Sequence, residues 1–100
     1  MDLDKCIKAL RNAAADTSDK LPGLAFYLFG SCARDEPWPE DVDVLIVYPL
    51  HIDPRAVRDS FTACMREFPL HLFLASRQEA AEHRLVELQN AVAITWNTAT

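Results

Sequence analysis

The sequence predicts an α/β (α+β) domain whose mixed sheet of three to four strands packs with helices in the order αββαβα(β). Three observations carry that expectation. Apolar stretches of strand length stand at residues 24–29, 42–48 and 70–75, the first continuous and the others broken only by Asp43 and His71. Segments with helical apolar spacing lie before the first run and between the second and third. The gap between the first two runs is too short for a parallel crossover, whereas the gap between the second and third holds a full helix.

Residues 3–15 open the chain with apolar side chains at Leu3, Cys6, Ile7, Leu10 and Ala14, one face of an amphipathic helix, with Asp2 and Asp4 near its start. Asp16-Thr17-Ser18-Asp19 and Pro22-Gly23 are expected to end it in a turn. Leu24–Phe29 then reads as a buried strand, halted by Gly30-Ser31. A polar stretch with Pro37 and Pro39 leads to Val42-Asp43-Val44-Leu45-Ile46-Val47-Tyr48, a β-branched strand that is apolar on both faces beyond Asp43. The first two strands are expected to be antiparallel neighbours.

Asp53-Pro54 supplies an N-cap with proline at the first helical position, predicting one helix to about Phe68 with Val57, Phe61, Cys64, Met65 and Phe68 inward. Pro69 ends it and Leu70–Ala75 is a third strand. Strand, helix and strand in that order give a right-handed crossover, so the second and third strands should be parallel. Ser76 caps a last helix through about Leu88, with Glu79 at the capping-box position. The tail Ala91–Trp96 offers a short further strand.

One domain over residues 1–100 is expected, since a chain of 100 residues with 50% hydrophobic and 25% charged residues buries enough surface to fold alone. The net charge of −5, with ten basic residues scattered along the chain, excludes a broad basic face for nucleic acid. Cys6, Cys32 and Cys64 are odd in number and form no Cys-x-x-Cys pair, and His51, His71 and His83 have no zinc-ligand spacing. Reduced thiols, an acidic N-terminus without a signal-peptide pattern, and no apolar run long enough to span a bilayer together predict a cytoplasmic protein with no membrane segment.

The candidate chemistry converges on one sheet edge. The first strand runs into Gly30-Ser31; the second, antiparallel to it, starts at that end with Asp41-Val42-Asp43; the third, parallel to the second, starts there with His71. Asp41 and Asp43, two apart on a strand, face one way and suit a hard cation such as Mg²⁺. Gly30 permits close backbone approach, Ser31 and the amides after it suit phosphate, and Arg34 lies one turn further along a helix starting there. Cys32 and Trp38 read more simply as a variable motif position and a loop-shaping residue.

Phe29-Gly30-Ser31-Cys32-Ala33-Arg34, nine residues between Ser31 and Asp41, and then Asp41-Val42-Asp43-Val44-Leu45-Ile46-Val47 resembles the minimal nucleotidyltransferase domains of the DNA polymerase β superfamily. The resemblance covers roughly residues 5–96. It implies the nucleotidyltransferase fold and nucleotidyl transfer from a nucleoside triphosphate, ATP first, to a hydroxyl of a partner protein or small molecule. By carry-over, Gly30, Ser31 and Arg34 would bind nucleotide, and Asp41 and Asp43 would be catalytic and hold Mg²⁺, with Mn²⁺ as the alternative. Many relatives carry a third carboxylate near the start of the third strand, where this chain has His71. Two readings therefore stay open, an enzyme that uses His71 or a nucleotide-binding module with little turnover. The resemblance extends to antitoxins paired with HEPN-type toxins, which adds a third reading, a protein partner of that kind, compatible with either of these.

Overall fold

The computed structural model of the protein describes residues 3–29, 42–85 and 92–93. Its elements are α1 (Leu3–Lys20), β1 (Ala25–Phe29), β2 (Val42–Tyr48), α2 (Pro54–Ser60), α3 (Thr62–Glu67), β3 (Leu70–Ser76), α4 (Arg77–Glu82) and β4 (Val92–Ala93). The strands form one mixed sheet in the order β3-β2-β1-β4. β1 is antiparallel to β2, and β3 is parallel to β2, as the connection lengths require. β4 pairs antiparallel with β1 through Tyr27↔Ala93 and Leu28↔Val92, so the expected tail strand is present at 92–93. The rest of that tail, and residues 86–88 of the expected last helix, lie outside the described residues.

Successive residues of a strand face opposite ways, and among the described residues the two faces of this sheet are covered unequally. Phe26, Val42, Val44, Ile46, Leu70 and Leu72 point to one side, where Cys6, Leu10, Ala14, Val57, Phe61 and Cys64 of the helices α1 to α3 close over them. Leu45, Val47 and Ala75 point to the other side, beneath the short α4 and its Ala80. β2 lies between two strands with apolar residues on both faces, which is why its run carries almost no alternation.

α1 continues to Lys20 rather than stopping at Asp16–Asp19. Thr17 follows Leu10 and Ala14 on the buried face, and its hydroxyl donates to the Ala13 carbonyl at 2.7 Å, so its polar atom is satisfied inside the helix. Pro22 and Gly23 make the turn, with Gly23 at φ 103°, a conformation only glycine adopts without strain. Arg77 donates to the Gly23 carbonyl at 2.8 Å and ties this turn to the start of α4.

The single helix expected from Pro54 to Phe68 is divided at Phe61. Its amide donates to the Arg58 carbonyl at 3.0 Å, a tightened i→i−3 bond, and its dihedrals (φ −101°, ψ 5°) leave the helical region. The ring is 1% exposed and packs 5.9 Å from Phe26 of β1, so the bend accompanies the seating of Phe61 in the core. The apolar stripe is as expected: Val57, Phe61 and Cys64 are buried, and Met65 and Phe68 pack at its margin. Burial raises the Cys64 thiol pKa, with a smaller push from Glu67.

Both predicted caps are present. Asp53 accepts from the Arg55 amide at 2.9 Å ahead of Pro54. Ser76 and Glu79 form a reciprocal capping box, the Glu79 amide donating to Ser76 Oγ at 3.1 Å and the Ser76 amide donating to Glu79 Oε1 at 3.0 Å. α4 is shorter than expected: it ends at Glu82, the His83 amide bonds back to the Glu79 carbonyl, and Arg84 takes φ 49°. That left-handed residue interrupts the helix at 83–84, and Leu85 is again helical.

Candidate functional site

The pairing register places three residues in one row across the sheet: Phe29 of β1 opposite Asp43 of β2, and Asp43 beside His71 of β3. All three lie on the face that carries Leu45 and Val47, at the end of the sheet away from α4. In the chain, Gly30 follows Phe29 directly and Asp41 stands two residues before Asp43. Gly30, Ser31, Arg34 and Asp41 lie outside the described residues, so the candidate site is described at Asp43 and His71.

Those two side chains meet. His71 Nδ1 is 3.4 Å from Asp43 Oδ1, with the histidine side chain 57% exposed and the aspartate 24%. The aspartate is thus half-sheltered at a strand entrance, while the imidazole stands open beside it. The convergence on one sheet edge expected from the sequence is present for His71 and Asp43, while its Asp41 part lies outside the described residues.

The sequence reading did not pick out the aromatic neighbours. Phe29 and Phe73 stand edge to face with centroids 5.2 Å apart, and the His71 ring lies 6.5 Å from Phe73 at 80°. Phe73 is 47% exposed, a large apolar ring left open one step along β3 from His71. Its signal was available in the alternation Leu70-His71-Leu72-Phe73, because a strand with leucines on the core face must turn its intervening residues outward.

A carboxylate at a strand start is a hard oxygen donor of the kind that holds Mg²⁺, and Asp43 fits that role. An imidazole does not suit Mg²⁺, so His71 adds little to such a donor set. Among the described residues no three His, Cys, Asp or Glu side chains cluster as a complete metal site. A groove of about 360 Å³ lies elsewhere, between α1 and α3, with Asn12, Asp16, Lys20 and Glu67 among its walls. It belongs to the helical layer, on the opposite side of the sheet from Asp43, and brings together none of the predicted site residues. No helix among the described residues is long and apolar enough to cross a membrane.

Residues 10–93 match a family model described as a nucleotidyltransferase domain. No curated protein and no solved structure matches the chain.

Proposed function

The chain belongs to the nucleotidyltransferase domain family, and from that premise we propose that it binds a nucleoside triphosphate with Mg²⁺ at the sheet end marked by Asp43 and His71 and transfers the nucleotidyl group slowly. The observation that supports this reading is the row Phe29–Asp43–His71, which aligns the strand leading into Gly30-Ser31 with the strand entered through Asp41. In this reading Gly30, Ser31 and Arg34 engage the phosphates, and Asp41 and Asp43 hold the cation. A bound divalent cation supplies charge neutralisation at the phosphate oxygens.

The chain's own contribution is a carboxylate and an imidazole with distinct tasks. With Nδ1 3.4 Å from Asp43 Oδ1, the His71 imidazole would take the proton of an acceptor hydroxyl whose oxygen attacks the α-phosphorus as pyrophosphate leaves. A histidine at this position brings no negative charge for a second cation, and that is the physical reason for slow transfer. The acceptor is a hydroxyl of a small molecule or a partner protein.

Titration of ATP and GTP with and without Mg²⁺ tests the reading. The wild-type chain should bind in a metal-dependent way, and Asp41→Ala with Asp43→Ala should weaken binding at least about tenfold while the thermal midpoint is retained. Equal affinity in the double variant refutes the site. Tight binding without any transfer leaves the site and removes the enzyme, which is the outcome for an antitoxin-like module.

A further inference from the structure

We infer that two copies of this chain associate by pairing their β3 edges antiparallel, with Phe73 of one copy opposite Phe73 of the other, to form one continuous sheet. The argument begins with which β3 groups already have partners. The Val42 amide donates to the Pro69 carbonyl at 2.9 Å, so in β3 the backbone groups of 71, 73 and 75 turn toward β2 and those of 70, 72, 74 and 76 turn outward. β3 stands at the end of the strand order, and among the described residues no strand covers that outer side.

The outward amides are held at both ends of the strand and open in its middle. The Leu70 amide bonds to the Phe68 carbonyl at 2.9 Å, and the Ser76 amide is held by Glu79 at 3.0 Å. Between them, the amides of Leu72 and Leu74 and the Leu74 carbonyl carry no hydrogen bond among the described residues. The Leu72 carbonyl receives Arg58 Nη2 at 3.4 Å, a long contact that leaves its second lone pair for another donor.

A twofold axis through Phe73 uses these groups and no others. Leu72 of each copy then exchanges both backbone bonds with Leu74 of the second copy, four bonds in all, and the closed amides at 70 and 76 stop the ladder on either side. The side chains that meet are alike and apolar: leucine against leucine on the helical side, and Phe73 against Phe73 on the open face. The strand's own residues include none that keep edges apart, and Arg58 at the Leu72 carbonyl is the charged group that reaches the edge among the described contacts. Leu70-His71-Leu72-Phe73-Leu74-Ala75 holds no Lys, Asp, Glu or Pro, and its Phe73 is 47% exposed. A second copy fits this edge because the held amides of Leu70 and Ser76 lie three residues on either side of Phe73. An antiparallel copy therefore brings held ends opposite held ends and open groups opposite open groups.

A strand edge alone is a small interface, so the association should be weak and concentration-dependent. Sedimentation of the full chain should show the mass rising toward twice the monomer over roughly 10–500 µM. Phe73→Lys, which places like charges directly opposite, should weaken it at least about tenfold without lowering the thermal midpoint greatly. Phe73→Cys should form a disulfide-linked dimer under mild oxidation that the wild type does not, because directly opposed positions of this kind have Cα atoms about 4.5 Å apart, within disulfide reach. A chain that stays monomeric throughout overturns the inference, including where a strand of another protein adds to the edge instead. So does a dimer that Phe73→Lys leaves intact and Phe73→Cys does not crosslink.

Discussion

Replacing His71 by aspartate separates the two tasks given to the pair at the strand entrance. In the wild type a cationic or neutral ring sits with Nδ1 3.4 Å from Asp43 Oδ1. In His71→Asp two carboxylates face each other at roughly 4 Å, where like charges repel by about 1 kcal/mol in a water-like medium. The water-like value applies because residue 71 is more than half exposed. The metal-free variant should therefore melt about 4–8 °C lower than wild type.

A divalent cation at Asp43 reverses the sign. One added negative charge about 4 Å from a doubly charged ion gains roughly 2 kcal/mol on the same scale, or about 30-fold in affinity before screening by salt. The expected result is about 10- to 30-fold tighter Mg²⁺ binding and a faster transfer step. Thermal melts over a MgCl₂ series, read beside isothermal titration of Mg²⁺-ATP, check both halves. The reasoning is refuted if the variant melts like wild type without metal and responds to Mg²⁺ no more strongly, since residue 71 would then not share a site with Asp43.

The remaining predictions concern the scaffold that holds this site. Phe61→Ala removes a ring that is 1% exposed and packed on Phe26, and should cost about 3–5 kcal/mol, seen as a drop of about 12 °C or more in the thermal midpoint. Glu79 is held below its ordinary pKa of 4.5, first by the hydrogen bond from the Ser76 amide and then by the bond involving the Ser76 side chain. A carboxylate with a depressed folded pKa stabilises the fold above its unfolded pKa and loses that contribution as pH falls through the folded value. The cap of α4 should thus weaken below pH 4.5, and Glu79→Gln, which keeps an acceptor but no charge, should remove this step from a pH series of thermal melts.

Much of the fold was legible because local signals and global topology agree. The unbroken apolar run after Asp43 announced a central strand, and the lengths of its two connections announced which neighbour is antiparallel and which is parallel. Asp53-Pro54 and Ser76 with Glu79 gave their helix starts to the residue, since each cap is a short-range hydrogen bond that sequence spacing encodes. The misses have tertiary causes. Thr17 looks like a helix breaker until its hydroxyl is seen bonded to Ala13 on a buried face. The break at Phe61 leaves apolar periodicity almost intact, so no pattern in residues 54–68 could reveal it. The approach of His71 to Asp43 followed from register, whereas the contact of Phe29 with Phe73 spans β2 and depends on ring orientation.

The position of Asp43 shows why the site and the edge share one face of the sheet. It is the lone charged residue of β2, between Val42 and Val44, both of which are fully buried under α1 to α3. A shift of one residue in the pairing of β2 would carry its carboxylate into that helical layer and turn a valine outward, at the full cost of an unpaired buried charge. The heavy helical cover therefore fixes which way Asp43 points. On the other face α4 is six residues long and packs on β3 and β2. On that face the Asp43 side chain keeps 24% of its surface exposed, and Phe73 is 47% exposed beside a strand edge that no other strand covers among the described residues. Burial of the valines on one side thus fixes the register that sets Asp43 beside His71 on the other.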